Sequence, residues 1–120
     1  MNVVAIKGEL QTVIEKHITK DGVSQVTFRI KVKRDFKDRL TGNRESDSFQ
    51  VVAWRQQADF LAQYARKGDE ITVKGVLQNR VFEREGIKHM ITEINADRVE
   101  LDRRETAMVH DTEKEQSKNE

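Results

Sequence analysis

Ser24-Gln25-Val26-Thr27-Phe28-Arg29-Ile30-Lys31-Val32-Lys33-Arg34 alternates residue by residue between apolar and polar side chains. A side-chain period of two is the period of a β-strand, so Val26, Phe28, Ile30 and Val32 face one way and Thr27, Arg29, Lys31 and Lys33 the other. The stretch predicts a half-buried strand with a basic outer face. The same period returns from Ile71 to Arg84. There Ile71, Val73, Gly75, Leu77 and Val81 share the side expected to be the core, opposite Thr72, Lys74, Gln78, Arg80, Phe82 and Arg84. Phe82 is an aromatic set in an outward row of polar and basic residues.

Three further strands are predicted outward from these two: Met1 to Val13, Ser48 to Trp54, and His89 to Leu101, the last entered through a Glu85-Gly86 turn. Between Trp54 and Gly68, Ala58, Leu61, Ala62 and Ala65 recur at helical steps, with Phe60 and Tyr64 as an adjacent stripe. Arg66 and Lys67 are expected in the last turn of that helix, with Gly68 as its left-handed stop. Asp35 to Asp47 reads as a long polar loop, and Asp102 to Glu120 as a mobile tail or a short helix. The fold class is therefore all-β with one helix. Five strands with a helix between the third and fourth follow the order of the OB-fold, a five-stranded Greek-key barrel. The expected organisation is one domain over residues 1–103 and an acidic tail over 104–120.

Composition narrows the function classes. The 120 residues contain no Cys, which removes disulfides, thiol nucleophiles and cysteine metal sites and suits a reducing cytoplasm. Lys7 and Glu9 interrupt the apolar stretch Val3 to Ile6, so no signal peptide is read there, and no apolar run is long enough to span a membrane. Net charge is only +1, but residues 1–104 carry 20 Lys or Arg against 16 Asp or Glu, whereas residues 105–120 carry 2 against 5. A basic body is thus followed by an acidic tail. His17, His89 and His110 are scattered without zinc spacing, and no Walker loop, dinucleotide fingerprint or nucleophile signature occurs. The expectation is a binding protein without cofactor, metal or catalytic residues.

Val51-Val52-Ala53-Trp54-Arg55, Ala58, Tyr64, Arg66-Lys67-Gly68-Asp69, Gly75-Val76-Leu77-Gln78-Asn79-Arg80, Thr92-Glu93-Ile94 and Ala96-Asp97 stand in an order that resembles bacterial-type single-stranded DNA-binding proteins. Met1-Asn2-Val3-Val4, Gly8 and Leu10 fit as well, so the resemblance runs from residue 1 to about 101. It implies sequence-tolerant binding of single-stranded DNA in replication, recombination or repair, with bases stacked on aromatics and phosphates met by Lys and Arg. Carried over by position, the stacking residues are Phe36, Trp54 and Phe82. The basic candidates are Arg29, Lys31, Lys33, Arg55, Lys74, Arg80 and Arg84. The resemblance also implies a homo-oligomer, a tetramer ahead of a dimer, and a cytoplasmic setting in a bacterial cell or in the host of a phage.

This chain departs from the family pattern in three places. The Asp-Pro pair common in the family's first loop is absent, so Gln11 to Asp21 is expected to be a shorter or reshaped connection. Ser48 stands where an aromatic is usual, one step out of register with Phe49. An unbroken strand makes Phe49 a core residue beside Val51 and Ala53; a bulge near Ser48 would turn it outward. The chain closes on Ser117-Lys118-Asn119-Glu120, without the apolar, proline-containing tip that docks replication and repair proteins in the family. The alternatives to the leading function are an RNA-preferring or primosome-type accessory protein, and an interaction module that has lost its ligand.

Overall fold

A computed structural model describes residues 1–102. The expected acidic tail, and with it Arg103-Arg104, lies outside the described residues. In chain order the elements are β1 (Val4–Leu10), β2 (Lys16–Ile18), β3 (Ser24–Lys37), β4 (Arg44–Trp54), α1 (Arg55–Tyr64), β5 (Glu70–Arg84) and β6 (Ile87–Asp102). The hydrogen-bonded order is β1-β5-β6-β4-β3-β2, and β1 also pairs with β3, so the sheet closes on itself. All pairings are antiparallel except β4 with β6, where Val51 and Val52 face Ile94 and Asn95. Closure removes the sheet edges that a small open sheet would expose. Leaving aside the three-residue β2, five strands form the barrel and the helix lies between the third and fourth, the expected OB-fold order.

The core follows the alternation of β3. Val26, Phe28 and Ile30 are sealed inside with Leu10, Val51, Ala53, Ile71, Val73 and Ile94. Ala58 and Leu61 add the buried face of α1, which packs on β3 and β4. Gly75 belongs to this packing because a side chain there cannot fit. A Cβ would stand 2.1 Å from the carbonyl oxygen of Asn95. The close approach sits at a bulge in β6: Lys74 pairs with Arg98 and Gly75 with Ala96, leaving Asp97 as the extra residue. Its carbonyl accepts a hydrogen bond from the Gln57 amide of α1.

Four expectations need correction. Leu77 and Val81 keep the parity of Ile71 and Val73 but are 45% and 62% exposed, because β5 and β6 run past the barrel as a two-stranded arm with nothing packed beneath them. Asp35 to Asp47 is not one loop: β3 runs to Lys37 and β4 starts at Arg44, leaving a short turn over 38–43 at the end of a second arm. The helix stops at Tyr64, with Ala65 already extended, so Arg66 and Lys67 lie beyond its last turn. Gly68 has φ +96 in the turn that follows, where Asp69 donates its backbone N–H to the Arg66 carbonyl. Phe49 is the fourth. Pairing from Gln25↔Trp54 to Lys33↔Ser46 is unbroken, so no bulge turns it outward, yet it is 40% exposed. It shares the parity of Val51 and Ala53 and pairs with the sealed Ile30, so it sits at the margin of the core with part of its ring left open to solvent.

The Glu85-Gly86 turn is as expected. Both residues have positive φ, 55° and 78°, the pair of left-handed conformations that a two-residue hairpin loop requires.

Candidate nucleic-acid interface

The outer faces of β3, β4, β6 and β5 form one surface, and register places most of the candidate residues on it. Cross-strand pairs link Gln25 with Trp54, Thr27 with Val52, Arg29 with Gln50 and Lys31 with Ser48. On the other side, Val76 pairs with Asn95, Gln78 with Glu93 and Phe82 with His89. A groove of about 460 Å³ runs over this surface, lined by Gln25, Thr27, Val52, Trp54, Gln78, Asn79, Arg80, Glu93 and Asn95. Its lining is rich in amides, with Trp54 as its aromatic.

A chain of side-chain hydrogen bonds crosses all four strands. Arg29 donates from Nη1 to Gln50 Oε1 at 3.4 Å, and from Nη2 to the Ser48 carbonyl at 3.3 Å. Gln50 Nε2 donates to Glu93 Oε1 at 2.9 Å. Arg80 closes the row with Nε to Glu93 Oε2 at 3.2 Å and Nη2 to Glu93 Oε1 at 3.3 Å. Glu93 is only 7% exposed, while the Arg80 side chain remains half in solvent. A carboxylate taken out of water requires such partners. Asn95 Nδ2 donates to Gln78 Oε1 at 3.0 Å, which orients a second amide pair in the groove.

The β5–β6 arm carries the other aromatic group. Phe82 stacks on His89, directly across the hairpin, with ring centroids 5.3 Å apart and 19° between planes. The guanidinium carbons of Arg80 and Arg84 lie 5.5 and 5.6 Å from the Phe82 centroid. These are distances at which a cation is attracted to a ring face. Two cations and two flat rings are thereby held beside the groove.

The remaining candidates are dispersed. Phe36 is 73% exposed on the β3–β4 arm, beside Arg34, Lys37, Asp38 and Arg39 rather than in the groove. That arm is fixed by Arg34, which pairs with Asp47 and Glu45 at 3.0 Å. The hydrogen bond from Arg34 holds the Asp47 carboxyl below its ordinary range, and the same contact raises Arg34. Lys31 reaches Glu9 at 3.9 Å, and Lys33 continues the β3 row past it. Lys74 is exposed between Ala5 of β1 and Arg98 of β6. Arg55 begins α1 with φ 58°, a strained conformation for a side-chain-bearing residue, and lines a separate cleft of about 770 Å³ with Trp54, Asp21 and Asp97.

Sequence reading missed Gln50, Gln78, Glu93, Asn95 and His89. Their outward parity was legible, but parity does not say which outward residues meet across strands. His89 alone had a local signal: it stands as far after the Glu85-Gly86 turn as Phe82 stands before it.

Residues 1–102 match the single-strand binding protein family. The chain is 35% identical over 102 residues to single-stranded DNA-binding protein 4 of Streptococcus agalactiae, covering 84% of this chain and 73% of that one. It is 35% identical over 120 residues to single-stranded DNA-binding protein 1 of Lactococcus lactis, covering 99% and 79%. Against the single-stranded DNA-binding protein of Streptococcus pneumoniae it is 36% identical and spans 65% of the relative's length. The crystal structure of a small single-stranded DNA-binding protein from Streptomyces coelicolor superimposes with a TM-score of 0.68 at 27% identity, over 83% of this chain and 93% of that one.

Proposed function

The chain belongs to the single-strand binding protein family, and from that premise we propose that it binds single-stranded DNA across the outer face of β3, β4, β6 and β5. Bases stack on Trp54 in the groove and on Phe82 on the arm, while Arg29, Lys31, Lys33, Arg80 and Arg84 meet the phosphates. Phe36, Arg55 and Lys74 extend the same path at its margins. What carries the reading is that the pairing of β3 with β4, β4 with β6 and β6 with β5 brings the single Trp, the stacked Phe82 and two arginine-bearing rows onto one continuous surface. Stacking on ring faces tolerates any base, so binding is independent of sequence. Such binding protects exposed strands during replication, recombination and repair, and it requires no chemistry from the protein.

Assembly is part of the proposal. Leu77, Val81 and Met90 leave an apolar face on the arm, and Val3 is exposed at the start of β1, close by through the Asn2–Leu77 hydrogen bonds. A symmetric homo-oligomer, a tetramer ahead of a dimer, would cover such surfaces. No helix among the described residues is long and apolar enough to cross a membrane. We place the protein in the cytoplasm on its family membership, since the single-stranded DNA it would bind arises there.

The test is titration with an oligo-dT while Trp54 fluorescence is followed. Strong quenching by the single strand and little response to duplex are expected. Trp54→Ala should weaken binding by about 1–3 kcal/mol. Unaltered affinity in that variant would remove Trp54 from the path.

A further inference from the structure

Glu93 is the one charged residue buried among the described residues, and it lies in the groove assigned above to an anionic ligand. A negative charge there is the opposite of what phosphates attract. Its two oxygens are already committed: one accepts from Gln50 and Arg80, the other from Arg80. Through Gln50 the same carboxylate is coupled to Arg29, because the Gln50 amide must keep its oxygen toward Arg29 and its nitrogen toward Glu93. Both groove arginines are therefore aimed by one buried acid, and Arg80 is also partly neutralised by it.

We propose that Glu93 is a positioning residue that acts as an internal counter-ion, competing with the phosphate of a bound strand for Arg80. The inference rests on the single-strand binding reading. In the free protein the carboxylate fixes Arg80 beside Phe82 and partly neutralises its charge. When a strand enters, Arg80 turns part of its hydrogen-bonding capacity to phosphate, and Gln50 continues to satisfy Glu93. The arrangement lowers affinity in exchange for a fixed geometry, and it leaves the site less sensitive to salt than its arginines alone would make it.

Glu93→Gln tests this in the full chain. The carboxamide keeps the shape and one acceptor oxygen but replaces the oxygen facing Arg80 Nε with an NH₂ that cannot accept, so Arg80 loses its counter-charge and one of its two hydrogen bonds. Oligo-dT should then bind several-fold more tightly at low salt. The plot of log affinity against log salt should steepen by about 0.7, the increment for one further phosphate on a single strand. Arg80→Gln should remove that gain when combined with Glu93→Gln, and should have a smaller effect alone. Unchanged or weaker binding by Glu93→Gln, or an unchanged salt slope, would overturn the proposal. Should that variant not fold, the unaltered protein gives the answer by NMR: the Arg80 Nε–H resonance must move when oligo-dT is added, and a stationary resonance overturns the proposal. An unaltered protein that fails to bind oligo-dT at all would count against the single-strand reading itself, so the two failures are distinguishable.

Discussion

Ile71 and Val81 lie on one strand with the same parity, yet Ile71 is sealed in the barrel and Val81 stands in solvent. The first half of β5 has β1 on one side, β6 on the other and the core beneath it. The second half has only β6. Alternation assigns a residue to a face; whether anything covers that face depends on the length of the neighbouring strands. The barrel half therefore carries stability. The arm half, released from packing, can place Arg80, Phe82, Arg84 and His89 where a ligand can reach them.

The contrast should be largest in denaturation. Ile71→Ala is expected to destabilise the fold by about 2–5 kcal/mol through loss of burial and the cavity left behind. At concentrations low enough to keep the chain monomeric, Met90→Ala on the arm, opposite Val81, should fall within about 0.5 kcal/mol as a surface substitution. Urea unfolding of the two variants measures the difference. A large loss from Met90→Ala that depends on protein concentration would show that the arm is covered by a second copy. A large loss independent of concentration would break the comparison.

The junction between the halves should be nearly as sensitive. Gly75→Ala sets a methyl against the Asn95 backbone, not against a side chain that could swing away. A cost of about 1–3 kcal/mol is expected from this overpacking, with the β6 bulge displaced. Thermal unfolding of Gly75→Ala beside Gly42→Ala would separate close approach from backbone conformation, since a Cβ at Gly42 meets nothing within 4 Å and only its φ of 76° resists.

On the arm the change should appear in binding instead. Phe82→Ala is expected to leave folding nearly untouched and to weaken oligo-dT binding toward the lower end of about 1–3 kcal/mol. The lower end applies because His89 already occupies part of the ring surface. An equal loss for Phe82→Ala and Trp54→Ala would mean that arm and groove contribute alike.

The sequence carried the strand set, the single helix, the Glu85-Gly86 turn and the outward parity of Arg29, Arg80 and Phe82. Each of these rests on local chemistry: a period of two, a period near four, or a pair of residues tolerant of positive φ. The barrel followed from the order of five strands and one helix, and the stacking role of Trp54 came from the resemblance. What was not legible depended on strands distant in sequence. Glu93 looks like any solvated glutamate until β4 and β5 bring Gln50 and Arg80 against it. Phe49 has the right parity for the core and faces the sealed Ile30, but it stands at the core's margin where no further strand covers it. The arms were misread because a charged, exposed hairpin such as Asp35 to Asp47 has the composition of a loop; its strands are held by cross-strand ion pairs, which composition does not reveal.

Those ion pairs give the smallest expected effect, and it separates the two arms. Asp47 is held below its ordinary pKa first by the hydrogen bond from Arg34, and Asp38 by backbone N–H groups of Leu40 and Thr41. A carboxyl whose folded pKa is depressed stabilises the folded form above its unfolded value, near 3.9 for aspartate, and that contribution is lost as pH falls through the folded pKa. Both groups are on the surface, so the effect is modest and screened by salt. The β3–β4 arm should accordingly loosen below about pH 4, seen as faster amide exchange over residues 33–44 than at Val26 and Phe28. Past Arg80 no ion pair crosses the β5–β6 arm among the described residues, where the Phe82–His89 stack and the Glu85-Gly86 turn hold the register. Its tip should keep nearly the same protection, relative to an unstructured amide at each pH, over the same interval. Arg34→Ala should shrink the difference by removing the cation on which Asp47 depends, leaving the part that comes from Asp38. If both arms loosen together in the unaltered protein, the ion pairs are not what distinguishes them.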